Sequence, residues 1–175
     1  TVLNIMEIIF SYFNTRKVAL LLDKELYAYC TEHSVIQLNQ QQLITGDDFH
    51  ADIALSIGGD GTFLSTAARI GSKNIPIMGI NTGRLGFLAD VPVDAVEKAL
   101  DAIMQNQINI EERTLLKVDF SDDRVVDYPF VLNEVSVLKQ DSSSMISINT
   151  YLNEEAIHSY HADGLIVATP TGSTA

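Results

Sequence analysis

The stretch IALSIGGDGT occupies residues 53–62 and places a glycine turn between an apolar run and a run with helical spacing. Ile53–Ile57 predicts a buried strand, and Phe63–Ile70 predicts a helix closed by Gly71. Glycines let backbone N–H groups approach a phosphate without a Cβ in the way, and a helix N-terminus adds unpaired N–H groups and the positive end of its dipole. The turn is therefore predicted to bind phosphate through Gly58, Gly59, Gly61 and Thr62.

Asp60 is the carboxylate inside this turn. An anion beside phosphates is repelled unless it holds Mg²⁺, directly or through water, or accepts a proton from an attacking hydroxyl. The alternative is a turn without a ligand, in which Asp60 only stabilises the N-terminus of the helix. Neither G-x-x-x-x-G-K-[ST] nor G-x-G-x-x-G occurs in the chain, so the remaining residues must decide between these two interpretations.

Composition limits the classes of partner. The chain has 175 residues, 46% of them apolar, which is enough for one large domain or two small ones. Its net charge of −12 argues against general binding to nucleic acid or to an acidic membrane. We therefore expect small-molecule partners, with any polyanion held locally by backbone N–H groups, Mg²⁺ and a few basic residues such as Arg84.

The cysteine content and the N-terminal segment indicate the cellular compartment of the protein. The single cysteine, Cys30, cannot form an internal disulfide, and the four histidines lack zinc-ligand spacing. The apolar segment Val2–Phe13 carries Glu7 and no basic leader, and its apolar residues repeat at helical spacing. We expect a packed amphipathic helix there, in a cytoplasmic protein.

Strand and helix patterns alternate over residues 1–107. Such alternation predicts a Rossmann-like parallel α/β domain with helices on both faces, whose ligands lie at the carboxyl ends of the strands. Both the turn at 58–62 and the loop Asn81–Asp90 hold that position. The predicted elements are helices over Val2–Phe13, Lys24–Glu32, Phe63–Ile70 and Pro92–Asn106, strands over Lys17–Leu22, Ile53–Ile57 and Ile75–Ile80, and a polar connection over Gln37–Asp48.

Residues 108–175 have a different pattern. Short runs rich in β-branched and aromatic residues alternate with polar turns, and no strong helical pattern separates them. We predict strands over Leu115–Phe120, Phe130–Val137 and Ile146–Leu152, with a hairpin turn at Asn153–Glu155. The fold class is therefore α/β, with an N-terminal parallel α/β domain followed by a mainly β second domain.

Four segments together resemble those of the NAD kinases, the ATP- or polyphosphate-dependent enzymes that phosphorylate NAD to NADP. The glycine motif alone is shared with lipid kinases and phosphofructokinases, whereas the other three favour NAD kinases. The segments are residues 58–62, NTGRLGFL at 81–88, Asn133-Glu134, and Asp163-Gly164 leading to TPTGSTA at 169–175. The resemblance spans nearly the whole chain and also implies that it is a fragment, without the family's first strand and C-terminal part.

The resemblance implies a role for particular residues. Asp60 is expected to be the catalytic carboxylate, which accepts the proton of the adenosine-ribose 2′-hydroxyl, with Mg²⁺ neutralising the phosphates. Asn133 and Glu134 are expected to hold the second ribose of NAD, since an amide and a carboxylate together donate to and accept from vicinal hydroxyls. Asp163 is expected near the nicotinamide amide, although strand-end aspartates also serve as caps.

Further contacts are implied for residues whose structural alternatives remain open. The resemblance implies a nucleotide contact for Ser144, but the polar turn that contains it is equally explained as a simple loop. Phe87 is expected either to line the nucleotide pocket or to be a core residue. Thr174 and Ala175 are expected near the adenine. His161 stands where many family members have Arg or Lys, so a permanently charged side chain is replaced by an imidazole.

Two rival functions remain at this point. One is a lipid kinase of the diacylglycerol or sphingosine type, which shares the glycine motif, and the other is a non-catalytic nucleotide-binding module. Taken with the resemblance, the sequence predicts an NAD kinase with ATP or inorganic polyphosphate as donor, NAD as substrate and Mg²⁺ as cofactor. The family also implies a homo-oligomer, either a dimer or a tetramer.

Overall fold

The computed structural model describes residues 1–33, 42–84, 86–122, 126–140 and 143–174. Two units divide the chain, Thr1–Glu112 and Arg113–Ala175. Parallel strand pairs and α-helices make up the first unit, and antiparallel strand pairs make up the second. This difference confirms the predicted order of an α/β part followed by a β part.

Four α-helices and four strands lie among the described residues of the first unit. The helices are α1 (Val2–Asn14), α2 (Lys24–Glu32), α3 (Asp60–Ile70) and α4 (Val96–Met104), and the strands are β1 (Leu21–Asp23), β2 (Gln42–Ile44), β3 (Ala54–Gly58) and β4 (Ile77–Asn81). β1 pairs with β2 and β3 pairs with β4, both in parallel. Short 3₁₀ helices follow α3 at Gly71–Lys73 and precede α4 at Val93–Ala95.

The core of this unit forms where α1 and α4 pack beside β4. The buried residues of that cluster are Ile5, Ile9, Phe13, Ile80, Val96 and Leu100. Each fully buried aliphatic side chain of this size contributes about 1.5–3 kcal/mol of hydrophobic stabilisation. The predicted apolar face of α1 is confirmed at Met6, Ile9 and Phe13, while Ile5 is buried more deeply than Val2. This packing holds the strand that carries the loop after residue 81.

Two predictions for the start of the chain are wrong. The predicted strand Lys17–Leu22 is reduced to Leu21–Asp23, because a turn after α1 occupies the preceding residues and Val18 donates to the carbonyl of Arg16. The predicted connection contains β2, which pairs with β1 over three residues. Residues 34–41 of that connection lie outside the described part of the chain.

The helix α2 has the predicted bounds and a local cause for its start. Asp23 is its N-cap, and its carboxylate accepts hydrogen bonds from the backbone N–H groups of Glu25 and Leu26. The same carboxylate pairs with Arg69 near the end of α3. Such a cap contributes about 1 kcal/mol, so α2 begins where a side chain satisfies its first N–H groups.

The glycine turn is shorter than predicted. Gly58 ends β3, Gly59 is the N-cap of α3 in an extended conformation, and the first helical hydrogen bond runs from the Phe63 N–H to the Gly59 carbonyl at 3.1 Å. The helix therefore begins at Asp60 instead of Phe63. The predicted helix Pro92–Asn106 is likewise divided into the 3₁₀ turn at 93–95 and α4.

In the second unit, the described part of the chain forms six strands of two to eight residues. They are β5 (Leu116–Lys117), β6 (Phe130–Val131), β7 (Glu134–Leu138), β8 (Ile146–Leu152), β9 (Glu155–Ala162) and β10 (Gly164–Ala168), followed by a 3₁₀ turn at Gly172–Thr174. The pairs β5–β6, β7–β10 and β8–β9 are all antiparallel. Asn153 and Glu154 join β8 to β9 with φ values of 49° and 71°, as in a two-residue hairpin turn with both central residues left-handed.

The strand predicted at Phe130–Val137 is interrupted. Leu132 and Asn133 separate β6 from β7, because their carbonyls accept hydrogen bonds from the hydroxyl and the N–H of Thr169. The strand predicted at Leu115–Phe120 is reduced to the two residues of β5. The interruption places Asn133 and Glu134 at a strand start instead of inside a strand.

Candidate functional site

The glycines of the turn differ in how much space a Cβ would have at Gly58, Gly59 and Gly61. A Cβ on Gly58 would collide with the side chain of Thr62, so this buried glycine is required by packing. A Cβ on Gly59 or Gly61 would meet no atom within 4 Å. These two residues and Thr62 are exposed at the N-terminus of α3, where helical N–H groups lack intrahelical acceptors and attract anions.

Asp60 is the first residue of α3, but its carboxylate does not cap that helix. It reaches instead to the loop after β4. Its Oδ2 accepts from the N–H of Phe87 at 2.8 Å, and its Oδ1 accepts from the N–H groups of Leu88 and Ala89, both at 3.0 Å. Asp60 therefore connects two loops that follow neighbouring parallel strands.

These bonds set the charge state of Asp60. The hydrogen bonds from Ala89, Phe87 and Leu88 lower the pKa of the carboxyl below its ordinary value, because N–H donors stabilise the charged form. A carboxylate has about two acceptor positions on each oxygen, so Oδ1 is filled and Oδ2 keeps one. The group is an anion with one acceptor position for a hydroxyl, and a weaker base than an ordinary aspartate.

The loop partner of Asp60 is shaped by Gly86 and Phe87. A Cβ on Gly86 would occupy the position of the Asp60 carboxylate, so glycine is needed there for close approach. The Phe87 ring is 96% exposed, which excludes the core alternative for this residue. Leu85 lies outside the described part of the chain.

Asn81 is a site residue that the sequence reasoning missed. Its side chain is 4% exposed, and its Nδ2 donates to the carbonyls of Arg84 at 2.8 Å and Ala89 at 3.0 Å. Its Oδ1 accepts from the N–H of Gly83 at 2.7 Å. An Asn at a strand end with Gly two residues later is typical of an Asx turn, and that local signal was available in the sequence.

In the second unit, Asn133 and Glu134 lie where β7 begins. Thr169 holds the backbone of Asn133, because its N–H donates to the Asn133 carbonyl at 2.8 Å. The Thr169 hydroxyl accepts in turn from the N–H of Gly172 at 3.2 Å. A Cβ on Gly172 would collide with the Asn133 backbone. The side-chain atoms Asn133 Oδ1 and Glu134 Oε2 are buried, and within the described residues they have no hydrogen-bond partner.

The remaining predicted residues do not share one arrangement. Asp163 is exposed and pairs with Lys139 at 2.6 Å, so it is not the buried strand-end cap considered above. The Nδ1 of His161 lies 2.9 Å from the Ser147 hydroxyl across β8–β9. Ser144 is exposed in a bend before β8. The backbone of Thr174 is in the 3₁₀ turn, and Ala175 lies outside the described residues.

A resident magnesium site requires several oxygen ligands close together. No group of three or more His, Cys, Asp or Glu side chains in the described part is placed to hold a metal ion. The carboxylate of Asp60 is largely occupied by backbone donors. These residues therefore do not form a resident magnesium site by themselves.

Comparison with known families shows to which family the chain belongs. Residues 3–108 match the family model of the ATP-NAD kinase N-terminal domain, and residues 132–175 match that of the ATP-NAD kinase C-terminal domain. The chain belongs to the NAD kinase family. The resemblance inferred from the four segments is thereby confirmed. An NAD kinase of Bacteroides fragilis is 47% identical over 152 residues, which are 87% of this chain and 52% of that protein.

Solved structures of NAD kinase relatives support the fold. A yeast NADH kinase complexed with NADH matches 100% of this chain and 55% of its own, with a TM-score of 0.78 at 20% identity. An NAD kinase from Archaeoglobus fulgidus in complex with ATP matches 89% of this chain and 62% of its own, with a TM-score of 0.59 at 29% identity. The chain spans about half the length of the curated relatives it matches.

Among the described residues, every helix is too short or too polar to span a bilayer.

Proposed function

We propose that the protein is an NAD kinase, which transfers the terminal phosphoryl group of ATP, or of inorganic polyphosphate, to the 2′-hydroxyl of the adenosine ribose of NAD and so forms NADP. Family membership over both matched regions supports this proposal. The observation that carries it is the pair of buried oxygens on Asn133 and Glu134, which have no hydrogen-bond partner among the described residues. Buried acceptors of this kind take donors from a ligand or from water, and the hydroxyls of a ribose are suitable donors.

Asp60 orients the nucleophile in this proposal. The free acceptor position on its Oδ2 takes a hydrogen bond from the ribose 2′-hydroxyl, whose oxygen forms the new bond to the terminal phosphorus. The bond between that phosphorus and the bridging oxygen of the donor breaks, and the hydroxyl proton passes to Asp60 or to water. Because hydrogen bonds lower the pKa of Asp60, positioning contributes more than basicity, as is usual in phosphoryl transfer.

The exposed N-terminus of α3 receives the donor phosphates. Gly59, Gly61 and Thr62 are exposed there, and a Cβ on either glycine would meet no atom within 4 Å. An oligophosphate is attracted by the positive end of the helix dipole. We propose that Mg²⁺ arrives as part of the donor, bound to its phosphates, since magnesium usually keeps few protein ligands at such sites. ATP is the donor suggested by the relative solved with ATP.

The other predicted contacts belong to the same proposal. Asn133 and Glu134 bind the second ribose, and the exposed ring of Phe87 is available to stack on a base. Roles for Ser144, His161 and Asp163, and for Thr174 and Ala175 near the adenine, stay predictions, as do the cytoplasmic location and a homo-oligomeric state. Light scattering on the purified protein measures the last of these directly.

The test is NADP formation by the protein as its gene encodes it, with NAD, Mg²⁺ and either ATP or polyphosphate. Asp60→Asn keeps the shape of the side chain and removes its charge, and we expect it to lower kcat by about 10²–10⁴-fold. Asp90→Asn is the matched control, since Asp90 is an exposed aspartate at the end of the loop, beyond residues 87–89 that bond Asp60. The rate of this variant should equal that of the wild type.

Two results would contradict the proposal. A folded protein that makes no NADP with either donor, but phosphorylates a lipid from a panel of diacylglycerols and sphingosine, would favour the lipid kinase rival. Binding of NAD without any turnover would favour the non-catalytic module.

A further inference from the structure

A single buried side chain, Asn81, organises the loop that holds Asp60. Asn81 ends β4 directly opposite Gly58 in the register of the parallel pair, so it lies beside the start of the glycine turn. All three hydrogen-bonding groups of its side chain are used: two N–H bonds go to the carbonyls of Arg84 and Ala89, and one acceptor takes the Gly83 N–H. The side chain therefore ties the beginning of the loop to its end.

Ala89 is the residue through which Asn81 reaches Asp60. Its carbonyl accepts from Asn81 Nδ2 at 3.0 Å, and its N–H donates to Asp60 Oδ1 at 3.0 Å. Ala89 is fully buried, and a Cβ on Gly79 would collide with its backbone. Because Ala89 is held on both sides, a change at Asn81 is transmitted to the N–H groups that face Asp60.

From these contacts we infer that Asn81 is a positioning residue for Asp60 in phosphoryl transfer, acting through its bonds to Gly83, Arg84 and Ala89 in the loop after β4. The inference rests on the proposed function for its catalytic part, while its structural part stands on the contacts alone. Asn81 touches no reacting atom in this account. It holds Ala89 directly, and through Ala89 the run of residues 87–89 whose N–H groups donate to the Asp60 carboxylate.

The low pKa of Asp60 agrees with this arrangement. Its causes are the three backbone hydrogen bonds, with the one from Ala89 the largest. Ala89 is also the residue that Asn81 holds. Loosening Ala89 therefore removes the strongest stabilisation of the Asp60 carboxylate.

The test compares Asn81→Ala with Ser56→Ala. Ser56 is a matched control, since it is 2% exposed on the neighbouring strand and its hydroxyl bonds Thr66 at 3.1 Å instead of the loop. In Asn81→Ala we expect the backbone amide resonances of Phe87, Leu88 and Ala89 to shift and the titration of the Asp60 carboxyl to move upward toward that of an ordinary aspartate. In Ser56→Ala both should match the wild type.

Kinetics supply the second readout. A misplaced catalytic group can lower a rate by about 10²-fold, so kcat for NADP formation should fall by about that factor in Asn81→Ala, while KM for NAD changes little. A folded Asn81→Ala variant whose loop resonances, Asp60 titration and kcat equal those of Ser56→Ala would overturn the inference. If the protein makes no NADP at all, the proposed function fails, but the resonance readout still decides whether Asn81 positions Asp60.

A second variant and a measurement on the wild type cover the case in which Asn81→Ala does not fold. Asn81→Ser keeps one hydroxyl donor, and we expect a smaller change in the same direction for each readout. In the wild type, the side-chain NH₂ protons of Asn81 should exchange slowly with solvent, since both are hydrogen-bonded and buried. Fast exchange of these protons would overturn the inference without any variant.

Discussion

In the first unit the Asp60 carboxylate accepts three backbone hydrogen bonds, whereas in the second unit two buried oxygens, Asn133 Oδ1 and Glu134 Oε2, have no partner among the described residues. A buried acceptor without a partner costs about 1–3 kcal/mol. The Asp60 carboxylate is therefore held in place before a ligand binds, whereas the two oxygens of the second unit are left to accept from a ligand or from water. Under the proposed function, the comparison separates a group positioned for chemistry from groups that recognise the substrate.

The largest expected effect on stability is the difference between two asparagine-to-alanine substitutions, one in each unit. Asn81→Ala leaves two carbonyls and one N–H near the loop without partners, and we expect a loss of about 2–4 kcal/mol of unfolding free energy. Asn133→Ala removes a buried acceptor that has no partner among the described residues, and with it the cost of burying that acceptor, so stability should not fall. Urea denaturation of the two variants measures both values, and equal losses would remove the contrast between the units.

A pair of glycines tests the contact of Asp60 with its loop. In Gly86→Ala the new Cβ displaces the Asp60 carboxylate, and we expect a loss of about 1–2 kcal/mol, as in other cases of overpacking. Gly83→Ala is the matched control in the same loop, because its Cβ would meet no atom within 4 Å. Thermal unfolding compares the two, and an equally stable Gly86→Ala variant would show that the carboxylate is not seated as described.

Acid should weaken the first unit through the same contact. The pKa of Asp60 is lowered in the folded state from its ordinary 3.8, so the unfolded chain binds more protons in this range and stability rises with pH. The contribution is complete above about pH 4 and is lost as the pH falls through the lowered value. Burial acts to raise the pKa of Asp23, but the hydrogen bonds from Arg69, Leu26 and Glu25 lower it overall, so Asp23 adds to the same trend.

Unfolding midpoints measured between pH 2 and pH 6 check this trend, with the range chosen around the ordinary carboxyl pKa. Asp60→Asn should reduce the dependence of stability on pH, and the exposed-site variant Asp90→Asn should leave it unchanged. A wild-type slope that persists in Asp60→Asn would assign the acid sensitivity to other carboxylates.

The smallest expected effect lies in the β8–β9 hairpin. Glu154 has a φ of 71°, which glycine adopts without the strain of a side chain. Glu154→Gly should therefore raise the stability of the second unit by about 0.5–1 kcal/mol without changing NAD affinity. A loss of affinity in this variant, measured by titration calorimetry, would show that the stability and the ribose site of the second unit are not separable.

Local patterns predicted much of the fold. The bounds of α2 and β8 agree with the sequence prediction, because a cap and a run of alternating residues define them within a few positions. The prediction failed where distant residues act. The split between β6 and β7 depends on Thr169, more than thirty residues later, and β2 is a strand only because β1 lies beside it.

The candidate site shows the same division. The glycine motif and Asn133-Glu134 were visible as residues, but their surroundings were not. The bonds of Asp60 to residues 87–89 join parts of the chain 27 to 29 positions apart, and no local pattern encodes them. The exposure of Phe87 and the ion pair of Asp163 with Lys139 likewise depend on tertiary structure.

The central claim is that the unpartnered oxygens of Asn133 and Glu134 receive a ribose of NAD. Titration calorimetry of NAD into the wild type and into the double variant Asn133→Ala/Glu134→Gln tests it most directly, with Glu154→Gly as the folded control. The account predicts that the double variant stays folded and binds NAD about 10²-fold more weakly, since hydrogen bonds to buried polar groups govern such selectivity. An unchanged dissociation constant in the folded double variant would contradict it.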